Sequence, residues 1–122
     1  MNKLEYIRFL NGDIVYIHGS VRVISSCDGY YATYYDEDET LQEVNVNVIE
    51  GIPLTTTILE KNGWKYKDDV YFKDYPQRKL VIYDDKAYII NESCSLFLCK
   101  VEFVHQLQHL LFGLGLNSEM EV

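Results

Sequence analysis

A chain of 122 residues, 48% of them hydrophobic, is long enough to bury a core, and no apolar run approaches the roughly 20 residues that span a bilayer. Its net charge of −8 excludes an ordinary electrostatic grip on DNA or RNA, which needs a clustered basic face, so neither nucleic acid nor membrane is expected as a direct partner. Three cysteines, Cys27, Cys94 and Cys99, lack the dense spacing of a secreted disulfide framework, and the start shows no signal-peptide pattern; reduced thiols and a cytoplasmic location are the expectation.

Residues 4–10 alternate as a strand, Asn11-Gly12 is a tight-turn signal, and residues 13–18 resume the alternation, which predicts a hairpin. Gly19-Ser20 allows another reversal into a short strand over 21–24, residues 25–29 read as a loop, and residues 30–35 as a tyrosine-rich strand. The run Asp36-Glu37-Asp38-Glu39-Thr40 is a solvated acidic turn. Beyond it Val44, Val46 and Val48 alternate with Asn45 and Asn47 as one half-buried strand. Short strands so closely connected predict a small curled sheet or SH3-like barrel over residues 1–52, ended by Pro53, which cannot donate to a ladder.

Thr55 is a candidate N-cap for a short helix through Lys61, with Asn62-Gly63 suited to the left-handed cap at its end. Strands are expected over 65–67, 70–75, 79–83, 87–91 and 95–101, with turns at 67–69, 75–77 and 84–85, as an antiparallel meander. Over 101–116, Phe103, Val104, Leu107, Leu110, Leu111 and Leu114 recur at helical spacing and leave His105, Gln106, Gln108 and His109 to the other side. A lone amphipathic helix of this length is marginal in water, so it needs the sheet to cover its apolar face. Residues 117–122 are polar enough to fray. The expected class is α+β, mostly β: a barrel-like half over 1–52, then helix, meander and one C-terminal amphipathic helix over 53–122, with one compact unit expected.

Chemistry-bearing patterns are few. His105 and His109 lie four apart on the terminal helix, a spacing that lets two imidazoles share a metal, but the position after the first is Gln106, where a zinc protease needs a glutamate as general base. They remain weak candidates for a metal or small-ligand site completed by a carboxylate from elsewhere. Cys94 and Cys99 fall on opposite faces of an extended strand unless residues 95–98 bulge. The calcium-loop imitation at Asp36, Asp38 and Thr40 fails at Leu41, where glycine is needed, and at Asn47, where a bidentate glutamate belongs. Ser25-Ser26-Cys27 with His18 is the nearest approach to a nucleophile beside a base, and linear proximity is not a dyad. With no nucleophile elbow, phosphate-cradling loop or dinucleotide fingerprint, no enzymatic activity, catalytic residue or cofactor is expected.

Surface remains. Residues 1–62 hold 10 Asp and Glu against 4 Lys and Arg, and residues 63–122 hold 9 against 7, so the negative field belongs mostly to the first half. Tyr31 and Tyr35 beside Asp36, Glu37, Asp38 and Glu39 are the candidate partner-binding residues, an aromatic and acidic patch. A purely structural account instead places Tyr30 and Tyr34 in the core and leaves Tyr31 and Tyr35 to shield a sheet edge.

The run I-P-L-T-T-T-I-L-E-K-N-G-W at 52–64, followed by V-H-Q-L-Q-H-L-L-F-G-L at 104–114, resembles uncharacterised small proteins of phages, prophages and integrated elements of Bacteroidetes-type bacteria. With the G-D-I-V of residues 12–15, the resemblance spans most of the chain, and it carries no catalytic residues. It implies a genomic setting. Weighed with the acidic surface, that setting makes the leading expectation a non-enzymatic accessory protein of a phage or mobile element that contacts a host or phage protein through the acidic first half or a strand edge. The alternatives are a metal- or small-ligand-binding domain using His105 and His109, and a self-associating, homo-oligomeric structural protein.

Overall fold

The structure is a computed structural model that describes residues 9–92 and 94–122. The strand expected over 4–10 lies outside the described residues except for Phe9 and Leu10, which belong to no strand. The fold is α+β and mostly β, with three antiparallel sheets and a C-terminal helix. The chain divides into two compact units, Met1–Ile52 and Pro53–Val122.

In the first unit the strands are β1 (Ile14–Ile17), β2 (Ser20–Val23), β3 (Ser26–Cys27), β4 (Tyr31–Tyr35), β5 (Leu41–Asn45) and β6 (Ile49–Gly51). They form two sheets, ordered β2-β1-β6 and β3-β4-β5. The chain runs from β2 through Ile24 and Ser25 into β3, with Ser25 N–H donating to the Thr33 carbonyl at 2.7 Å, so one bent stretch edges both sheets. That is the curled arrangement expected of this half. His18 and Gly19, at φ 51 and 78, form the two-residue turn that joins β1 to β2 with the twist the strands require. Buried Asp13 steadies the entry to β1: its carboxylate accepts the Leu10 N–H at 2.7 Å, and its carbonyl accepts the Ile24 N–H at 2.9 Å. Phe9, Val15, Ile17, Ile24, Ala32, Tyr34, Val46 and Ile49 make the core.

The single strand expected through Val44, Val46 and Val48 is not formed. Asn45 Oδ1 accepts the Asn47 N–H at 2.9 Å and opens a 3-10 turn over Val46–Val48, a short polar side chain offering the backbone an alternative to the ladder. Val46 turns into the core, whereas Val48 is 39% exposed.

The second unit contains α1 (Thr56–Lys61), β7 (Lys65–Lys67), β8 (Val70–Tyr75), β9 (Arg78–Tyr83), β10 (Lys86–Asn91), β11 (Cys94–Lys100) and α2 (Val104–Gly113). The strands are the expected meander, ordered β11-β10-β9-β8-β7. Thr55 caps α1, its hydroxyl accepting the Ile58 N–H at 3.2 Å. Both helices end in one motif: Trp64 N–H donates to Leu59 and Gly63 N–H to Glu60, and Leu116 N–H donates to Leu111 and Gly115 N–H to Phe112. Each time the residue after the glycine packs in the same core as its carbonyl partner, alongside Leu80, Ile82, Ala87, Val101 and Leu107.

Two expectations fail here for one reason. Residues 117–122 do not fray: Met120 packs against the core, Glu121 N–H donates to Asn62 Oδ1 at 2.8 Å, and Asn62 Nδ2 donates back to the Glu121 carbonyl at 2.8 Å. The returning tail also covers part of the helix side expected to be polar, where Gln108 Nε2 reaches the Ser118 carbonyl at 3.4 Å. Gln108 is accordingly buried, at 6% exposure, and His105, stacked against the Phe103 ring, is buried at 5%.

Candidate functional site

β4 is the central strand of its sheet, and its alternation decides which tyrosines face out. Ala32 and Tyr34 enter the core; Tyr31, Thr33 and Tyr35 point the other way. Directly opposite on β5 stand Asn45, Glu43 and Leu41, and on β3 the Ser26 hydroxyl meets that of Thr33 at 2.6 Å. Tyr31, Tyr35 and Leu41 are 48%, 59% and 52% exposed, so this outer face carries large apolar groups over a rigid backbone. Tyr35 lies beyond the two-residue pairing with β3 and beside Val21 and Val23 of β2. Tyr30, which a purely structural account places in the core, is 53% exposed. Asp28 Oδ1 accepts both the Tyr30 and Tyr31 N–H groups at 2.8 Å, a local turn that starts the strand one residue later.

The four acids after Tyr35 do different work. Asp36 is the internal cap of its own turn: Oδ1 accepts the Asp38 and Thr40 N–H groups at 2.9 and 3.0 Å, and Oδ2 accepts Gln42 Nε2 at 2.9 Å. These donors, Thr40 first, hold its carboxyl below the usual carboxylate range. Glu37 pairs with Arg22 at 2.6 Å and is also held low, chiefly by its own N–H and then by the guanidinium. Of these four acids, Asp38 and Glu39 are the two whose carboxylates make no hydrogen bond or ion pair to a described residue.

Arg22 is the residue that sequence reasoning missed. It lies on β2 with its guanidinium 5.4 Å from the Tyr34 ring centre, clamped between that ring and Glu37. A signal existed, because it is the only Lys or Arg between residues 9 and 52. It also joins the acidic turn to β2, where an open depression of about 430 Å³ is lined by Asn11, Val21, Arg22, Val23, Ser25 and Tyr35.

The other candidates assemble less. His105 and His109 approach edge to face with ring centres 5.7 Å apart, but no group of three or more metal-ligating side chains occurs among the described residues. In β11 the register shifts, Ala87 facing Cys99 and Tyr88 facing Phe97, so Leu98 is the extra residue of a bulge. The bulge puts Cys94 and Cys99 on one face, yet at strand rise they lie about 15 Å apart, too far to share an ion. Burial pushes the Cys99 thiol pKa up, while Cys94 is exposed. Cys27 packs against the first core, Ser26 is engaged with Thr33, and His18 sits exposed at a hairpin tip, so the nearest approach to a nucleophilic pair is not drawn together.

Among the described residues no helix is long and apolar enough to cross a membrane. Comparison with protein-family models, curated proteins and solved structures finds no match to this chain.

Proposed function

We propose that this is a non-enzymatic binding protein that acts by contact with another protein through the outer face of the β3-β4-β5 sheet. The observation that carries the proposal is the pair Tyr31 and Tyr35, about half exposed on a central strand with exposed Leu41 beside Tyr35. Tyrosine supplies a large contact area with few rotors to freeze, and a central strand holds it in place. The sequence resemblance supports a phage or mobile-element setting, with a host or phage protein as the partner. Of the acidic turn, Asp38 and Glu39 would contribute to contact, while Asp36 and Glu37 serve the fold.

The test is affinity capture from host lysate with the wild type beside the double variant Tyr31→Ser, Tyr35→Ser. Each change costs about 1 kcal/mol through lost strand propensity and cross-strand packing, so circular dichroism first establishes that the variant is folded. A specific partner lost in the variant supports the proposal. Equal recovery by both proteins moves contact to another surface, and turnover of a substrate with no captured partner rejects it.

A second reading, self-association, is favoured by β11, an edge strand with Leu96 and Phe97 at 60% and 52% exposure. Sedimentation of the wild type against Phe97→Lys separates the two: a dimer abolished by the lysine supports self-association, and a concentration-independent monomer removes it.

A further inference from the structure

We infer that the edge of β2 that no described strand pairs with is a docking site for an extended, basic segment of a partner protein, which would add to it as a further antiparallel or parallel strand. The inference rests on the protein-contact reading above and names the class of partner.

β2 lies at one end of the β2-β1-β6 sheet. A two-residue turn makes Ile17 and Ser20 a hydrogen-bonded pair, and antiparallel pairing alternates from there, so Val15 with Arg22 is bonded and Tyr16 with Val21 and Ile14 with Val23 are not. The bond from Ile24 N–H to the Asp13 carbonyl continues the same alternation. The N–H and C=O groups of Val21 and Val23 therefore point away from β1. Among the described residues no backbone hydrogen bond uses them. Their side chains are 48% and 55% exposed, and the depression beside them reaches Tyr35. Such an edge offers main-chain groups for affinity and pockets for alternate side chains.

Charge selects the occupant. Residues 9–52 hold eight Asp and Glu against the single Arg22, a difference of −7, and that arginine is already paired with Glu37. The same pair brings the Asp36–Glu39 turn to the β2 edge. A strand laid there alternates its side chains between the Val21 and Val23 face and the acidic turn, so apolar residues alternating with Lys or Arg fit it. A second copy of this chain laid on this same edge would bring its own Asp36–Glu39 turn against this one, so the edge disfavours self-pairing.

The test uses a fluorescein-labelled heptapeptide of alternating lysine and valine, its glutamate and valine counterpart, and two N-methylated forms of the basic peptide blocked on odd or on even backbone nitrogens. Polarisation is read against the full chain. Basic-peptide binding that weakens several-fold between about 50 and about 300 mM salt, and that is lost on methylating one register only, supports the inference. Val21→Pro, which removes an outward N–H and no ladder bond, should weaken it by about tenfold, and Asp38→Asn with Glu39→Gln by several-fold at low salt. Equal binding of the acidic peptide, equal binding of both methylated forms, or a dimer that Val21→Pro abolishes overturns it. Absence of peptide binding, while Tyr31→Ser, Tyr35→Ser still loses a captured partner, overturns this inference and leaves the protein-contact reading standing.

Discussion

Two aspartates in the first unit spend their charge on the backbone rather than on solvent. Asp28 accepts N–H groups from Tyr31 and Tyr30, and Asp36 those of Thr40 and Asp38 with Gln42 beside them; in both, these donors hold the carboxyl below its ordinary range, Tyr31 first for Asp28 and Thr40 first for Asp36. A carboxylate with a lowered folded pKa stabilises fully above its unfolded value and loses that contribution as pH falls through the lowered one. Asp28→Asn and Asp36→Asn should therefore melt below the wild type near neutral pH, with the gap closing below about pH 4. Thermal midpoints of the three proteins from about pH 7 to about pH 2.5 check this, and a gap that stays constant would show that the charge is not what holds the turns.

At the scale of elements, what the sequence disclosed was local. The Asp68-Asp69 and Asp84-Asp85 turns hold φ of 54 and 66, and of 48 and 64, and Gln77 after Pro76 holds 66; each is a two-residue signal read from neighbouring positions. The Thr55 cap and the period of Leu107 and Leu111 are local too, as is the alternation that sends Tyr31 and Tyr35 outward. What stayed hidden depends on partners far along the chain. Asn62 holds the tail from 59 residues away, Arg22 neutralises Glu37 from 15 away, and neither has a periodic signature. The same distinction separates the two glycines that close α2. Gly113 is helical, and an added Cβ meets nothing within 4 Å, whereas Gly115 sits at φ +73. Gly113→Ala should raise stability by about 0.5–1 kcal/mol, and Gly115→Ala should lower it by about 1 kcal/mol, in urea unfolding at equal m. A gain at both positions would mean that α2 does not end in the left-handed cap.

The molecule as a whole is built on two cores with no shared residue, and the two differ in how they can be observed. The single tryptophan, Trp64, belongs to the second core with Leu107 and Leu111 of α2, whereas the first core reports only through tyrosine. Leu107 is fully enclosed, so Leu107→Ala removes its transfer energy and leaves a cavity against the sheet. The expected loss is about 2–5 kcal/mol, read as an earlier Trp64 fluorescence transition in urea. Ile17→Ala makes the equivalent void in the first core, whose cluster does not contain Trp64, and should cost about 2–5 kcal/mol, read in urea by circular dichroism. An unchanged transition there would show that Ile17 does not fill the first core. An unchanged urea transition in Leu107→Ala would mean instead that α2 does not close the second core.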